Sequence, residues 1–237
     1  MKNPLILFAL SAASAAQAAT VVPVDDFTTG HYQSPQYGKG TSQQNSNLQF
    51  GSMLGGSRST SMGICDTTTK GQCAATNPDA QKSSYAILTR ASAPRTSQLI
   101  QSSGYEDTPR LEVAYGQTAA LNQNFAALGA GAVMRLYFTG VTQVLNFNIL
   151  LFNSAGDTAI NGCNLAPLAG AFTVEVPVAS FHHDAGFSMS DVQFIDYIFQ
   201  DGSPIGGVEF GISRLEVSDT SLGNVVTCQM AFPGEPH

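Results

Sequence analysis

Four cysteines, a His-His-Asp run and a few acidic pairs are the residues of this 237-residue chain whose types could do chemistry. Cys65, Cys73, Cys163 and Cys228 allow three pairings. The preferred one joins Cys65 to Cys73 across a short Thr- and Gly-rich loop, and Cys163 to Cys228 between the loop after one strand and the last strand. No Cys-x-x-Cys pair and no His at zinc-finger spacing occurs, which disfavours structural zinc and thiol–disulfide catalysis. His182-His183-Asp184 could hold a transition metal or move a proton. Adjacent side chains on a strand point to opposite faces, so this run reads instead as an exposed loop after Phe181. A Gly-x-Ser-x-Gly nucleophile turn is absent, and Gly55-Gly56 ahead of Ser57 suits a tight turn with positive φ.

Glycoside hydrolysis needs two carboxylates within a few ångströms. Asp25-Asp26, Glu106-Asp107, Glu112, Glu175 and Glu209 are the candidates, and spacing brings no two of them together. Glu112, Glu175 and Glu209 take the outward parity of their strands, where a charge is expected to be solvated. Asp25 and Asp26 are also hard oxygen ligands. If the first and last strands are neighbours, Glu216 or Asp219 would complete a structural calcium site.

Elements that would position these groups are mostly strands. Period-two alternation runs through Leu111–Tyr115, Met134–Phe138, Leu145–Leu151 and Phe172–Val178, the second and third reading as a hairpin about Gly140. Pro177 marks an edge strand or a strand end. Val192 to Phe199 is apolar on both faces except at Gln193 and Asp196, as in a buried central strand or a short helix leading into one. Val208, Phe210 and Ile212 keep one parity and Leu215 and Val217 the other, which predicts a bulge at Ser213-Arg214. Leu121, Phe125 and Leu128 are spaced for one short helix. The fold class expected is all-β: an antiparallel two-sheet β-sandwich, a jelly roll, with long loops and at most one short helix.

Lys2 followed by Leu5–Leu10 and Ala16-Gln17-Ala18 reads as a signal peptide over residues 1–18, too short in its apolar run to span a bilayer. A single domain would then occupy 19–232, with 233–237 a loose tail. Export makes disulfides and calcium plausible and points to a secreted or periplasmic product without a membrane span. The absence of any Asn-x-Ser/Thr acceptor fits a bacterial source. A formal charge of −7, with only 11% charged residues, excludes nucleic acid as a natural partner and implies a surface solvated by neutral hydrogen bonding.

Asp25-Asp26-Phe27, Leu54-Gly55-Gly56-Ser57-Arg58 and Val208-Glu209-Phe210-Gly211-Ile212 come in an order that resembles galactose-binding-like jelly-roll domains of exported bacterial proteins. These include carbohydrate-binding modules and proteins that carry a PEP-CTERM sorting tail. The resemblance implies two antiparallel sheets, a calcium near the chain ends at Asp25 and Asp26, and a glycan site on a concave face or at loop tips. The chain departs from the pattern in having no Trp and no hydrophobic sorting helix after Phe232. Tyr32, Tyr37, Tyr85 and Tyr105, in or beside polar loops, are the stacking surfaces that would replace Trp. The function expected is non-catalytic recognition of a glycan or another envelope ligand. The alternatives are a self-assembling structural protein and a hydrolase built on a carboxylate pair.

Overall fold

The computed structural model describes residues 19–33, 45–64, 84–88, 97–102, 109–202 and 207–228. Those residues form two packed sheets with apolar side chains between them and three single-turn 3₁₀ segments at their edges. The strands are β1 (Val21–Asp25), β2 (Tyr32–Gln33), β3 (Asn45–Phe50), β4 (Ser57–Ile64), β5 (Ser84–Leu88), β6 (Gln98–Ser102), β7 (Pro109–Tyr115) and β8 (Val133–Val141). They continue as β9 (Leu145–Phe152), β10 (Thr158–Leu165), β11 (Phe172–Pro177), β12 (His182–His183), β13 (Phe194–Asp201), β14 (Glu209–Ser218) and β15 (Val226–Thr227).

Among the described residues, one sheet has eight strands in the order β15-β11-β8-β14-β6-β5-β2, with β1 also on β14. The other has seven, in the order β12-β10-β9-β13-β7-β4-β3. Pairing is antiparallel except between β11 and the two-residue β15. The alternation in sequence becomes the two-sided burial of the strands. Leu145, Phe147, Ile149 and Leu151 face the core from β9, and Met134, Leu136 and Phe138 face it from β8.

The two-sheet jelly roll is present, and β13 is the fourth of the seven strands, flanked by β9 and β7. Ser213 is the extra residue of a bulge, because Ile212 pairs with Phe138 and Arg214 with Tyr137. At that bulge β14 exchanges neighbours: Glu209–Ile212 pairs with β6 and Leu215–Ser218 with β1. Gly55 and Gly56, at φ +73° and +71°, turn β3 into β4.

The expected hairpin of β8 with β9 does not form. β8 lies in the eight-stranded sheet and β9 in the seven-stranded one. Residues 142–144 carry the chain across, since Thr142 N bonds Glu209 O at 2.9 Å and Gly202 N bonds Val144 O at 2.9 Å, anchoring the link to both sheets. The helix expected near Leu121 is only the 3₁₀ turn Phe125–Leu128, because Leu121 and Gln123 pair with Gln193 and Val192 as extended backbone. Cys163 on β10 is bonded to Cys228 just beyond β15, with Cα atoms 5.2 Å apart, so this disulfide joins the two sheets. Cys65 and Cys73 lie outside the described residues.

Candidate functional site

The outer face of the eight-stranded sheet carries a groove of about 590 Å³, a volume typical of small-ligand sites. Its floor is built by three adjacent strands, with Gln98 and Ile100 from β6, Thr139 from β8, and Glu209 and Gly211 from β14. These positions alternate with core residues Leu99, Phe138 and Phe210, so strand parity turns them outward. A wall rises from residues 167–170, where Val141 and Leu168 exchange two backbone hydrogen bonds of 2.9 Å.

Inside the groove the polar groups are fixed by one another. Thr139 Oγ1 donates to Gln98 Oε1 at 3.1 Å, which leaves the Gln98 amide NH2 to donate. Ser102 Oγ donates to Glu209 Oε1 at 2.8 Å, and the exposed Glu209 carboxylate keeps its second oxygen as an acceptor. A Cβ on Gly211 would run into Thr139 Oγ1, so glycine is needed there for the Thr139–Gln98 pair to lie flat on the strands. Ile100 and the part-exposed Leu168 supply apolar surface. Facing donor, acceptor and hydrocarbon edges can hold a polyhydroxylated ligand without covalent chemistry.

Farther along the same outer face the charges are neutralised internally. Arg135 bonds Glu175 at 2.7 Å, Glu216 at 2.9 Å and the carbonyl of Thr220, and Tyr137 donates to Glu216 at 2.8 Å. Residues 220–222 close over this cluster, where Ser221 Oγ and Leu222 N bond the two oxygens of Glu175. Burial opposes ionisation of Glu175, yet these donors and Arg135 hold it below the usual carboxylate range. The expectation of a solvated Glu175 is therefore corrected. It is buried because the chain after β14 folds back across its strand.

Asp25 has an equally specific role. Its Oδ2 accepts from Arg58 and, at 2.9 Å, from Tyr115, and its Oδ1 accepts from Phe27 N at 2.7 Å. Arg58, fully buried, also reaches Gln49 at 3.1 Å and the Gly30 carbonyl at 2.8 Å, and lies over the Phe27 ring. Asp25 belongs to the eight-stranded sheet, and Arg58 and Tyr115 to the seven-stranded one, so the group clamps the sandwich through its core. Burial is the largest influence on the Asp25 carboxyl and raises its pKa against the opposing pull of Arg58, Phe27 and Tyr115.

The four carboxylates named for calcium are dispersed. β1 does lie beside β14, but Asp25 faces the core, whereas Glu216 sits with Arg135 on the outer face. Asp26 accepts from Thr28, and Asp219 from Thr20 N at 2.9 Å. Among the described residues no three His, Cys, Asp or Glu side chains converge as metal ligands. His182 and His183 are exposed on β12, a short strand paired with β10, where a loop was expected.

Of the tyrosines, Tyr32 is half-buried on β2 and its hydroxyl accepts from Asn47 at 2.7 Å. Tyr85 is paired with Gln101 on β5, and nothing more is described of it. Tyr37 and Tyr105 lie outside the described residues, as do Glu106 and Asp107. The groove uses none of the tyrosines among its lining residues.

Gln98, Thr139 and Gly211 were absent from the candidates read in the sequence, and Glu209 was considered only as a carboxylate. The available signal was glycine in the interior of two strands, Gly140 and Gly211, which marks close approach to a backbone. Besides Glu175 and Glu216 around Arg135, the fold brings Glu112 beside Asp196 on the outer face of the seven-stranded sheet. Glu112 is bound by Arg110 and by Ser61 Oγ at 3.1 Å, and Asp196 Oδ1 is buried without a partner.

No family model and no curated protein matches the sequence. Among solved structures, the chain is similar to the agarase AgWH50C at 12% identity over 52% of this chain and 22% of that one, with a TM-score of 0.40. An exo-beta-agarase is 7% identical over 57% of this chain and 22% of its own, with a TM-score of 0.41. The chain thus spans about a fifth of the length of these agarases. A family 11 carbohydrate-binding module of a cellulosomal cellulase from Clostridium thermocellum is 12% identical over 85% of this chain and 95% of its own, with a TM-score of 0.38.

Proposed function

We propose that this sandwich is a non-catalytic carbohydrate-binding domain that takes a glycan in the groove over β6, β8 and β14. The observation that carries this reading is the juxtaposition, in one groove, of the Gln98 amide and the Glu209 carboxylate on the strand-built floor with hydrocarbon surface from Ile100 and from Leu168 of the wall. A sugar presents vicinal hydroxyls that donate and accept at once, and C–H faces that are apolar. Gln98 would donate to a hydroxyl oxygen, Glu209 would accept a hydroxyl proton, and Ile100 and Leu168 would shield ring carbons. Because strands hold these groups in place, little ordering entropy opposes binding. The sheet-joining Cys163–Cys228 disulfide supports export, since such bonds persist outside the reducing cytoplasm.

Affinity electrophoresis in gels containing soluble neutral polysaccharides tests the reading. The wild type is expected to be retarded by at least one of them. Gln98→Ala should bind about fivefold more weakly, equivalent to one lost hydrogen bond of about 1 kcal/mol, while the lost Thr139 bond lowers the melting temperature by no more than about 4 °C. Migration unaffected by every polysaccharide would overturn the proposal.

A further inference from the structure

We infer that the groove discriminates glycans by charge, preferring sugars with a free amino group and rejecting uronate- or sulfate-bearing ones, with Glu209 as the determinant. This rests on the carbohydrate reading of the same groove. Glu209 is the one charged side chain among the described lining residues, and no Lys, Arg or His joins it there. Its carboxylate is exposed and is engaged by a single neutral donor, Ser102, so its charge is not cancelled.

Among the described residues, the cations on that face are paired internally. Arg135 is bound by Glu175 and Glu216, and Arg214 pairs with Glu216 at 2.6 Å. An anionic sugar entering the groove would therefore meet Glu209 with no compensating positive group among the described lining residues, within a chain of formal charge −7. A sugar ammonium in the same place would replace a hydroxyl-to-carboxylate bond by an ion pair in which donor and acceptor carry opposite charges. The remaining groups, Gln98 and Thr139, are neutral and accept either kind of ring.

Four oligosaccharides of equal length separate the outcomes by calorimetry at mildly acidic pH, where the sugar amine is protonated: a β-1,4-glucosamine oligomer, its fully N-acetylated form, a neutral β-glucan and a uronate oligomer. The glucosamine oligomer is expected to bind about two- to fivefold more tightly than its acetylated counterpart, the gain of one exposed ion pair, and the uronate most weakly. Glu209→Gln should erase the amine preference, leaving the glucosamine oligomer and its acetylated form with equal affinity, and added salt should erase it in the wild type. Equal affinity for the amine and acetylated forms, or an amine preference that survives Glu209→Gln, would overturn the charge selection while leaving the carbohydrate reading intact. Failure of all four to bind would overturn both.

Discussion

Tyr115 and Tyr197 lie edge to face in the core with ring centroids 6.2 Å apart, and burial pushes both phenols well above their ordinary range. Tyr115 donates to Asp25, whereas the Tyr197 hydroxyl is buried with no partner among the described residues. Removing a hydroxyl costs stability only where a partner is left behind. Tyr115→Phe should destabilise by about 1–3 kcal/mol, and Tyr197→Phe should be neutral or stabilise by up to about 1 kcal/mol. Urea unfolding of the two variants checks this, and equal losses would refute the assignment of the difference to the Asp25 partner. At this scale the sequence was partly legible. Asp25 and Arg58 both appeared in the runs that carry the resemblance, but Asp25 was read as a calcium ligand and Arg58 was given no role. What joins them is the closure of two sheets over one core, which no local spacing encodes.

Among the elements, β13 takes the central-strand alternative of the two that its sequence allowed, and Asp196 inside it has the clearest consequence. Asp196 is pushed up to about 7 by burial and by the neighbouring Glu112, with Arg110 partly opposing. Its folded pKa lies above the unfolded value of roughly 3.9, so the folded chain binds the extra proton between those limits. Stability from this group is complete below about pH 4, falls as pH rises, and is lost above about pH 7. Asp196→Asn should flatten that slope and be more stable than the wild type at pH 8 by on the order of 2 kcal/mol. Denaturation curves at pH 5 and pH 8 measure it, and parallel slopes for the two proteins would refute the assignment. Elements were otherwise legible where periodicity sets a face, as in β9 and β14 with its bulge. They were misread where a tertiary partner decides, since β8 and β9 separate only because each has a better neighbour elsewhere.

For the whole molecule, the Cys163–Cys228 bond closes 65 residues and binds one sheet to the other. In the chain-entropy account a loop of that size contributes about 4 kcal/mol. Cys163→Ser with Cys228→Ser should therefore lower the melting temperature by several degrees, and a shift of less than one degree would assign the constraint to packing instead. The pairing was legible because only a few connectivities exist for four cysteines. The groove was not, because its floor gathers Gln98, Thr139 and Glu209 from strands far apart in the chain.

That same gathering depends on β14. β1 reaches the eight-stranded sheet only through it, β5 and β6 pair with each other and then with it, and β8 and β11 do likewise. Three separate pieces thus wait for one strand at residues 209–218. As the chain leaves the ribosome, the local pair β9–β10 can close at once, while β1, β6 and β8 keep open edges until β14 emerges. The order of synthesis therefore makes the last long strand the step at which this half of the sandwich ceases to be prone to aggregation.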